Sequence, residues 1–340
     1  MLTSPARSFA RPATALTWLL FAALAAVPFI ANAIEQPFWV SFFARIVIYA
    51  IAASALNLAL GYGGLVSFGH ALFIGLGSYA VALPAFHGIE SGWLHLALCV
   101  AGSALVALAV GAISLRTSGM AFIMITLAFA QMGYFLFVSL KQYGGDDGLP
   151  VAATSRFGAL QLGSAPALYA TALVVLALVT WWMARLRVAP FGMALRGARQ
   201  NARRIDAIGL QARRLQLVAF VLSGSICSVS GLLLANLNAF ASPSTMAWTV
   251  SGELIVMVVL GGIGTVAGPI VGALVFLGLE ELLKGVTEHW MAIFGPLIVL
   301  MALVGRRGIV GLLDLLPTTS RTPPTPTPTP TAAVAREGGA

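Results

Sequence analysis

The charged side chains of this sequence are few, and their spacing limits the chemistry that they could do. Eight arginines lie between Arg185 and Arg214, whereas Arg45, His70, Glu253 and Glu280 stand alone inside long apolar segments. An ionised side chain at bilayer depth costs on the order of 3 kcal/mol unless it is paired or hydrated. We therefore predict a salt bridge between Arg45 and Glu253. We also find too few such groups for a carrier that binds a coupling proton or sodium ion.

The sequence contains no catalytic or metal-binding pattern. Cys99 and Cys227 each lie in an apolar run, which is typical of small buried residues rather than of a disulfide framework. There is no Cys/His cluster with metal-ligand spacing and no Gly-x4-Gly-Lys-Ser/Thr phosphate loop. We predict that the chain is not an enzyme and has no catalytic residues, no metal site and no cofactor of its own.

The composition defines the class of protein. Hydrophobic residues make up 59% of the 340 residues, charged residues make up 9%, and the mean hydropathy is +0.95. Such a chain cannot bury its apolar side chains in a water-soluble core, which predicts an all-α, polytopic transmembrane helical bundle surrounded by membrane lipid. The net charge of +8 comes from arginines between apolar segments, where they orient the protein in a membrane. We therefore predict no nucleic-acid binding.

About ten apolar segments have lengths near that of a membrane span. They cover residues 14–33, 38–60, 65–83, 92–115, 119–140, 166–183, 215–239, 246–264, 266–283 and 289–304. The first also resembles a secretory signal peptide that ends at Ala31-Asn32-Ala33, but its length favours an uncleaved span. We predict a cytoplasmic N-terminus over residues 1–13, a transmembrane domain over 14–316, and a disordered, Pro/Thr-rich cytoplasmic tail over 317–340.

The distribution of basic residues predicts how the bundle lies in the membrane. With both termini inside, fifteen of the nineteen lysines and arginines fall on the cytoplasmic side, including all eight of the segment 185–214. The loop 141–165, which has no apolar period and is rich in turn-forming residues, is then external.

The arginine-rich segment 185–214 also has a helical pattern. One apolar stripe at helical spacing comprises Phe191, Leu195, Ala198, Ala202 and Ile205. Pro190 suits the first turn of the predicted amphipathic helix, and Gly209 suits its C-terminal end. Such a helix is either an interfacial anchor or a docking element for a soluble partner, and we favour docking.

Two glycine-rich breaks interrupt the apolar segments, one in each half of the chain. The first is Gly61-Tyr62-Gly63-Gly64, and the second is Gly261-Gly262-Ile263-Gly264-Thr265. Irregular backbone at bilayer depth survives only where protein buries it or water reaches it. Paired breaks of this kind predict a transport path, although a plain interfacial turn also fits the first one.

Three stretches of the sequence together resemble a known family. The run Ala55–Ala71, which includes the first glycine break and Ser67-Phe68-Gly69-His70, looks like the signature region of permease subunits of branched-chain amino-acid ABC importers. The arginine-rich segment 185–214, with the following Ala219-Phe220 and Gly231, is similar to the same family. So is Gly261–Pro269. The resemblance covers about residues 38–312, and the loop Gly144–Leu149 is more similar to the LivM-type subunit than to the LivH-type subunit.

The resemblance implies a transporter and its partners. Members of this family work in the bacterial inner membrane with a second, LivH-type permease, two cytoplasmic ATPases that bind the ATP, and a periplasmic substrate-binding protein. Carried onto this chain, the residues that border or shape the path would be Asn57, Gly63, Gly64, Ser67, His70, Gly261, Gly262 and Thr265. The residues of the ATPase-coupling loop would be Phe191, Gly192, Arg196, Arg199, Asn201, Ala207 and Gly209.

Other functions remain open at the level of the sequence. An ABC permease for urea or short amides would use the same architecture. An ion-coupled secondary carrier and a passive channel for a small neutral solute are the alternatives from other classes.

Overall fold

The computed structural model of the chain describes residues 11–158, 160–287, 289–304 and 308–313. Within them the chain forms thirteen α-helices and four two-residue strands. The helices are α1 (Arg11–Ala33), α2 (Pro37–Asn57), α3 (His70–Phe86), α4 (Gly92–Ser114), α5 (Met120–Ser139), α6 (Ala165–Val188), α7 (Pro190–Gln200), α8 (Ala202–Ala207), α9 (Ala212–Asn238), α10 (Trp248–Gly261), α11 (Gly268–Val286), α12 (Trp290–Val304) and α13 (Gly308–Leu313). The strands are β1 (Leu149–Pro150), β2 (Arg156–Phe157), β3 (Leu160–Gln161) and β4 (Phe240–Ala241).

Each of the ten predicted apolar segments contains one of the long helices, so the all-α, multi-helix prediction is confirmed. Five helices among the described residues are long and apolar enough to cross a membrane: the stretch 38–62, α4, α5, α6 and α9. Three shorter apolar helices accompany them, at Leu16–Ala31, α3 and α10. Large apolar side chains on α4, α5 and α6 are exposed on the outside of the bundle, including Leu105, Met132 and Trp181. This surface suits contact with lipid.

Two predicted boundaries of the third segment are wrong. We expected a helix over residues 65–83 that ends at Pro84, but α3 begins at His70 and continues through Pro84 to Phe86. A proline near the end of a helix costs little when few turns follow it. Residues Leu65–Gly69 are not helical because side chains from other helices bind their backbone, as described below.

Helices α2, α3 and α9 form the centre of the bundle, and glycines let α3 and α9 pack closely. A side chain on Gly77 of α3 would overlap the backbone of Ser228 on α9, and one on Gly231 of α9 would overlap the backbone of Ile74 on α3. The Ser78 hydroxyl donates to the Gly231 carbonyl at 3.0 Å across this contact. Close packing and this hydrogen bond therefore hold the two helices together, because lipid provides no hydrophobic driving force between helices.

Helix α1 is integrated into the bundle by a hydrogen bond at its proline. Pro28 has no N–H to donate to the carbonyl of Leu24, four residues earlier. The buried hydroxyl of Tyr169 on α6 donates to that carbonyl at 2.6 Å. The predicted first span is thus a packed helix against α2 and α6.

A buried network fixes the loop that joins α5 to α6. The Nε2 of His95 lies 3.1 Å from the carbonyl of Ile89 and must donate to it, so it carries the ring proton. The Nδ1 of His95 therefore accepts a hydrogen bond from the Ser155 hydroxyl, at 2.8 Å. Asn236 donates to the Ser155 hydroxyl and accepts the Ser155 backbone N–H. Strands β1 and β4 pair antiparallel beside this network. The loop is therefore ordered rather than loose, and it lies at the end of α6 opposite to α7.

Several sequence predictions lie outside the described residues. These are the tail 317–340, most of the N-terminus 1–13, and Arg306 and Arg307. The predicted Arg45–Glu253 salt bridge is wrong: among the described residues the ion pairs are Arg156–Glu90 and Lys284–Glu280.

Candidate functional site

The side chain of Asn57 joins the two glycine-rich breaks. Asn57 is the last residue of α2 and is fully buried. Its Nδ2 donates to the carbonyl of Thr265 at 2.8 Å, and its Oδ1 accepts the backbone N–H of Gly264 at 2.8 Å. One amide therefore satisfies two backbone groups of an irregular segment that belongs to the other half of the chain.

The two breaks are also in direct contact through glycine backbone. A side chain at Gly61 would lie 2.7 Å from the backbone nitrogen of Gly264, in addition to overlapping the Asn57 amide. Gly64 and Gly264 have φ angles of +71° and +78°, which residues with side chains rarely adopt. The breaks predicted from the sequence thus form one junction, which we call the glycine junction and define as residues 57–64 and 261–265.

Thr265 shapes the second break. Its hydroxyl donates to the carbonyl of Gly262 at 2.8 Å and accepts the backbone N–H of Gly268 at 3.0 Å, at the start of α11. Gly262 has a φ of +123°, and a side chain at Gly261 would overlap the carbonyl of Gly268. These glycines permit a hairpin between α10 and α11 that is too tight for any larger residue.

The non-helical segment Leu65–Gly69 receives its hydrogen bonds from side chains. Ser67 is fully buried, and its hydroxyl accepts the N–H of Gly69 at 3.1 Å. The Thr126 hydroxyl on α5 accepts the N–H of Phe68 at 3.3 Å. The Ser251 hydroxyl on α10 donates to the Phe68 carbonyl at 2.7 Å and accepts the N–H of Ala71 at 2.9 Å. The extended backbone survives inside the bundle because protein, not water, satisfies it.

His70 is packed inside the protein rather than exposed on a path. It is fully buried, with its ring edge-on to Phe73 and Phe220. The Ser223 hydroxyl donates its proton to the carbonyl of Ala55, so the Nε2 of His70 is the donor in the 2.8 Å bond to Ser223. The Nδ1 atom is buried without a protein partner. Asn57 and Ser67 are equally buried within this chain.

The arginine-rich segment 185–214 forms two short helices, not the single helix that its stripe predicted. Helix α7 begins at Pro190 as expected and buries Gly192, Leu195 and Ala198. It ends before Asn201, whose extended backbone and side chain cap α8 by accepting the N–H of Arg204 at 3.1 Å. An asparagine that binds its own neighbouring backbone competes with helix continuation.

The remaining predicted residues of this segment have different roles. Phe191 is half-buried against the bundle, and a side chain at Gly192 would overlap the carbonyl of Leu186 at the end of α6. Ala207 is exposed at the end of α8. Gly209 has a φ of +88°, which confirms the predicted left-handed glycine after the segment.

Two arginines hold α7 against the bundle. Arg196 donates from Nη2 to the carbonyl of Arg187 at 2.7 Å. Arg199 donates from Nη1 to the carbonyl of Gly61, and its aliphatic stem packs on Gly64, where an added Cβ would lie 2.8 Å from the Arg199 Cγ. Arg199 therefore connects the predicted coupling segment directly to the predicted path-shaping segment.

The exposed apolar residues of this segment escaped the sequence analysis. Met193, Ile208 and Leu210 are 54%, 67% and 42% exposed, beside the exposed Arg203 and Arg204. In the sequence they could have been recognised as apolar residues that lie off the buried stripe of an otherwise polar segment. We call these five exposed residues the α7–α8 surface.

Several known proteins are similar to this chain over most of its length. A family model described as branched-chain amino acid transport system, permease component, matches residues 38–303. The permease protein LivM of Escherichia coli strain K12 is 27% identical over 287 residues, which is 77% of this chain and 68% of that protein. The permease protein LivH of the same strain is 27% identical over 286 residues, which is 77% of this chain and 91% of that protein.

A more distant organism also carries a relative. A probable LivM permease protein of Methanocaldococcus jannaschii is 26% identical over 274 residues, covering 69% of this chain and 78% of that protein. Comparison with solved structures gave no match.

Proposed function

This chain belongs to the family of branched-chain amino acid transport permease components, and from that premise we propose that it forms one half of the membrane path of an ATP-driven importer. The relatives are named as high-affinity branched-chain amino acid permeases. The proposed substrate is accordingly leucine or a related branched-chain amino acid. The family match favours this function over an ion-coupled carrier or a passive channel.

We propose that α7 and α8 couple this chain to the conformational changes of a cytoplasmic ATPase. The single observation that carries this proposal is the hydrogen bond from Arg199 on α7 to the Gly61 carbonyl. Because Asn57 ties the same break to Gly264 and Thr265, a displacement of α7 reaches both halves of the chain through one arginine and one asparagine. ATP itself binds to the partner chain.

The α7–α8 surface is the proposed contact with that ATPase. Met193, Ile208 and Leu210 supply exposed apolar area, and Arg203 and Arg204 supply charge for an acidic rim. Arg196 and Arg199 are engaged within the chain, so they transmit motion rather than dock. The remaining predicted coupling residues, Phe191, Gly192, Asn201, Ala207 and Gly209, set the shape of the segment.

We place the glycine junction at the cytoplasmic end of the translocation path. In this proposal Gly63, Gly64, Ser67, Gly261, Gly262 and Thr265 shape the path, together with Asn57, and His70 supports them by packing. The ten long helices all cross the inner membrane, with both termini and α7 in the cytoplasm. The ordered loop 141–165 then faces the periplasm, where a substrate-binding protein would dock. A LivH-type permease completes the path.

Reconstitution separates this function from the alternatives. The chain, its second permease and its two ATPases are placed in proteoliposomes with the binding protein and radiolabelled leucine. We expect uptake only when ATP is present on the ATPase side. Uptake by the chain alone would indicate a channel, and uptake that an ionophore abolishes while ATP stays high would indicate an ion-coupled carrier.

A further inference from the structure

Five charged residues lie within the apolar helices at the end of the bundle remote from the glycine junction. They are Arg45 on α2, Glu253 on α10, and Glu280, Glu281 and Lys284 on α11. These three helices pack against one another. Arg45 lies about 18 Å along α2 from Asn57, and Glu280 lies about 18 Å along α11 from Gly268, at 1.5 Å per residue. The two residues therefore stand at similar depth.

The charges of this cluster are close but incompletely paired. Glu280 and Lys284 form a salt bridge one helical turn apart. Glu253 lies within electrostatic reach of Glu280, Arg45 and Lys284, yet no salt bridge joins it to Arg45 among the described residues. The Arg45 guanidinium instead lies over the Tyr49 ring, 5.8 Å from its centre. The Arg45 guanidinium and the Glu253 carboxylate, on neighbouring helices, thus form no salt bridge with each other among the described residues.

The position of these groups within apolar helices disfavours a lipid-facing role. Arg45 is exposed, and about 12 Å of helix separates it from the start of α2 at Pro37. Glu253 and Glu280 are partly exposed. Each charge facing hydrocarbon would cost on the order of 3 kcal/mol. The face that carries them therefore meets water or protein in the assembled transporter.

We infer that this face is a binding point for the zwitterionic group of an amino acid on the translocation path, with Arg45 binding the α-carboxylate and Glu253 binding the α-ammonium. The inference rests on the proposed function and adds the residues that recognise its substrate class. A guanidinium binds a carboxylate with two parallel N–H donors, and a carboxylate accepts from an ammonium group. The Glu280–Lys284 pair stands beside them on α11.

The first test is whether water and substrate reach these positions. Arg45→Cys and Glu253→Cys are each built into the complete transporter in proteoliposomes and reacted with a charged, membrane-impermeant thiosulfonate reagent. The native thiols Cys99 and Cys227 are buried, so their background is low. Leu105→Cys on the apolar outside of α4, where Leu105 is 70% exposed, is the control for a lipid-facing site. We expect both path variants to react, more slowly when leucine-loaded binding protein is present, and the control to stay unmodified.

The second test is whether the charges matter for uptake. Loss of one charge-assisted contact costs about 1.5–3 kcal/mol, so Arg45→Gln and Glu253→Gln should each raise the KM for leucine uptake about tenfold or more. Arg116→Gln, which removes an exposed charge between α4 and α5, should leave uptake unchanged. Unmodified cysteines together with normal KM values would overturn the inference, and so would loss of the second permease on co-purification, which would make this face an interface. Wild-type uptake is measured in parallel: if it fails, the importer proposal fails separately.

Discussion

Asn57 and Gly264 are joined by a 2.8 Å hydrogen bond from the Gly264 backbone N–H to the Asn57 side-chain oxygen, across 207 residues of sequence. The same amide donates to Thr265. The side chain at the end of α2, where Leu58–Tyr62 continue as a π-helical turn, thereby satisfies the irregular backbone of the second glycine break. A movement of one segment must move the other, which makes Asn57 the mechanical link of the glycine junction.

Removal of that link is expected to destabilise the protein and slow transport. Asn57→Leu leaves the Gly264 N–H and the Thr265 carbonyl buried without partners, which costs about 1–3 kcal/mol for each group. We expect a lower thermal midpoint in detergent and reduced leucine uptake. Asn238→Leu is the matched control, because Asn238 is exposed at the end of α9. Equal thermal midpoints for the two variants would show that the hydrogen bonds of Asn57 do not stabilise the protein.

Close backbone contact at the junction predicts a strong effect of the smallest side chain. Gly261→Ala places a methyl group onto the Gly268 carbonyl, and overpacking of this kind costs about 1–3 kcal/mol. Gly278→Ala on α11 is the control, since nothing lies within 4 Å of its added Cβ. The measurement is the thermal midpoint of each purified variant. A midpoint for Gly261→Ala at or above that of Gly278→Ala would argue against a tight α10–α11 hairpin.

The loop network at the other end of the bundle gives an independent stability prediction. Ser155→Ala removes the partner of both His95 Nδ1 and Asn236 Nδ2. His95 Nδ1 is left without a partner, whereas Asn236 Nδ2 keeps only its bond to the Leu232 carbonyl, and we expect faster proteolysis of the loop 141–165. Ser164→Ala is the control, because Ser164 is exposed and its side chain makes no capping bond. If both variants resist protease like the wild type, the network does not hold the loop.

Hydropathy and glycine spacing predicted most of the fold, because both are local properties of the sequence. The ten apolar segments each overlap a helix. The first glycine break contains the end of a π-helical turn, Leu58–Tyr62, and the non-helical backbone that follows it, and the second break is irregular backbone. The sequence could not show that the breaks touch each other, since the bonds of Asn57 and Ser251 join segments far apart in the chain. It left open whether Ser67 and His70 border a path or shape its helices, and both residues are buried within this chain.

The arginine-rich segment shows a second limit of periodicity. The stripe from Phe191 to Ile205 has a regular helical period, yet the chain breaks at Asn201, because its side chain binds the N–H of Arg204. Likewise, charge alone suggested a salt bridge between Arg45 and Glu253, whereas the Arg45 guanidinium lies over Tyr49. The spacing of polar residues in the sequence does not show which of several possible partners each side chain will bind.

The ratio of leucine imported to ATP hydrolysed tests the central claim most directly, because Arg199 is proposed to carry motion from α7 to the glycine junction. It is measured in the reconstituted transporter for the wild type, for Arg199→Gln, and for Arg116→Gln, which changes an exposed arginine between α4 and α5 and is the control. Loss of a contact worth about 1.5–3 kcal/mol predicts a ratio about tenfold lower for Arg199→Gln and unchanged for Arg116→Gln. An unchanged ratio for Arg199→Gln would contradict the account.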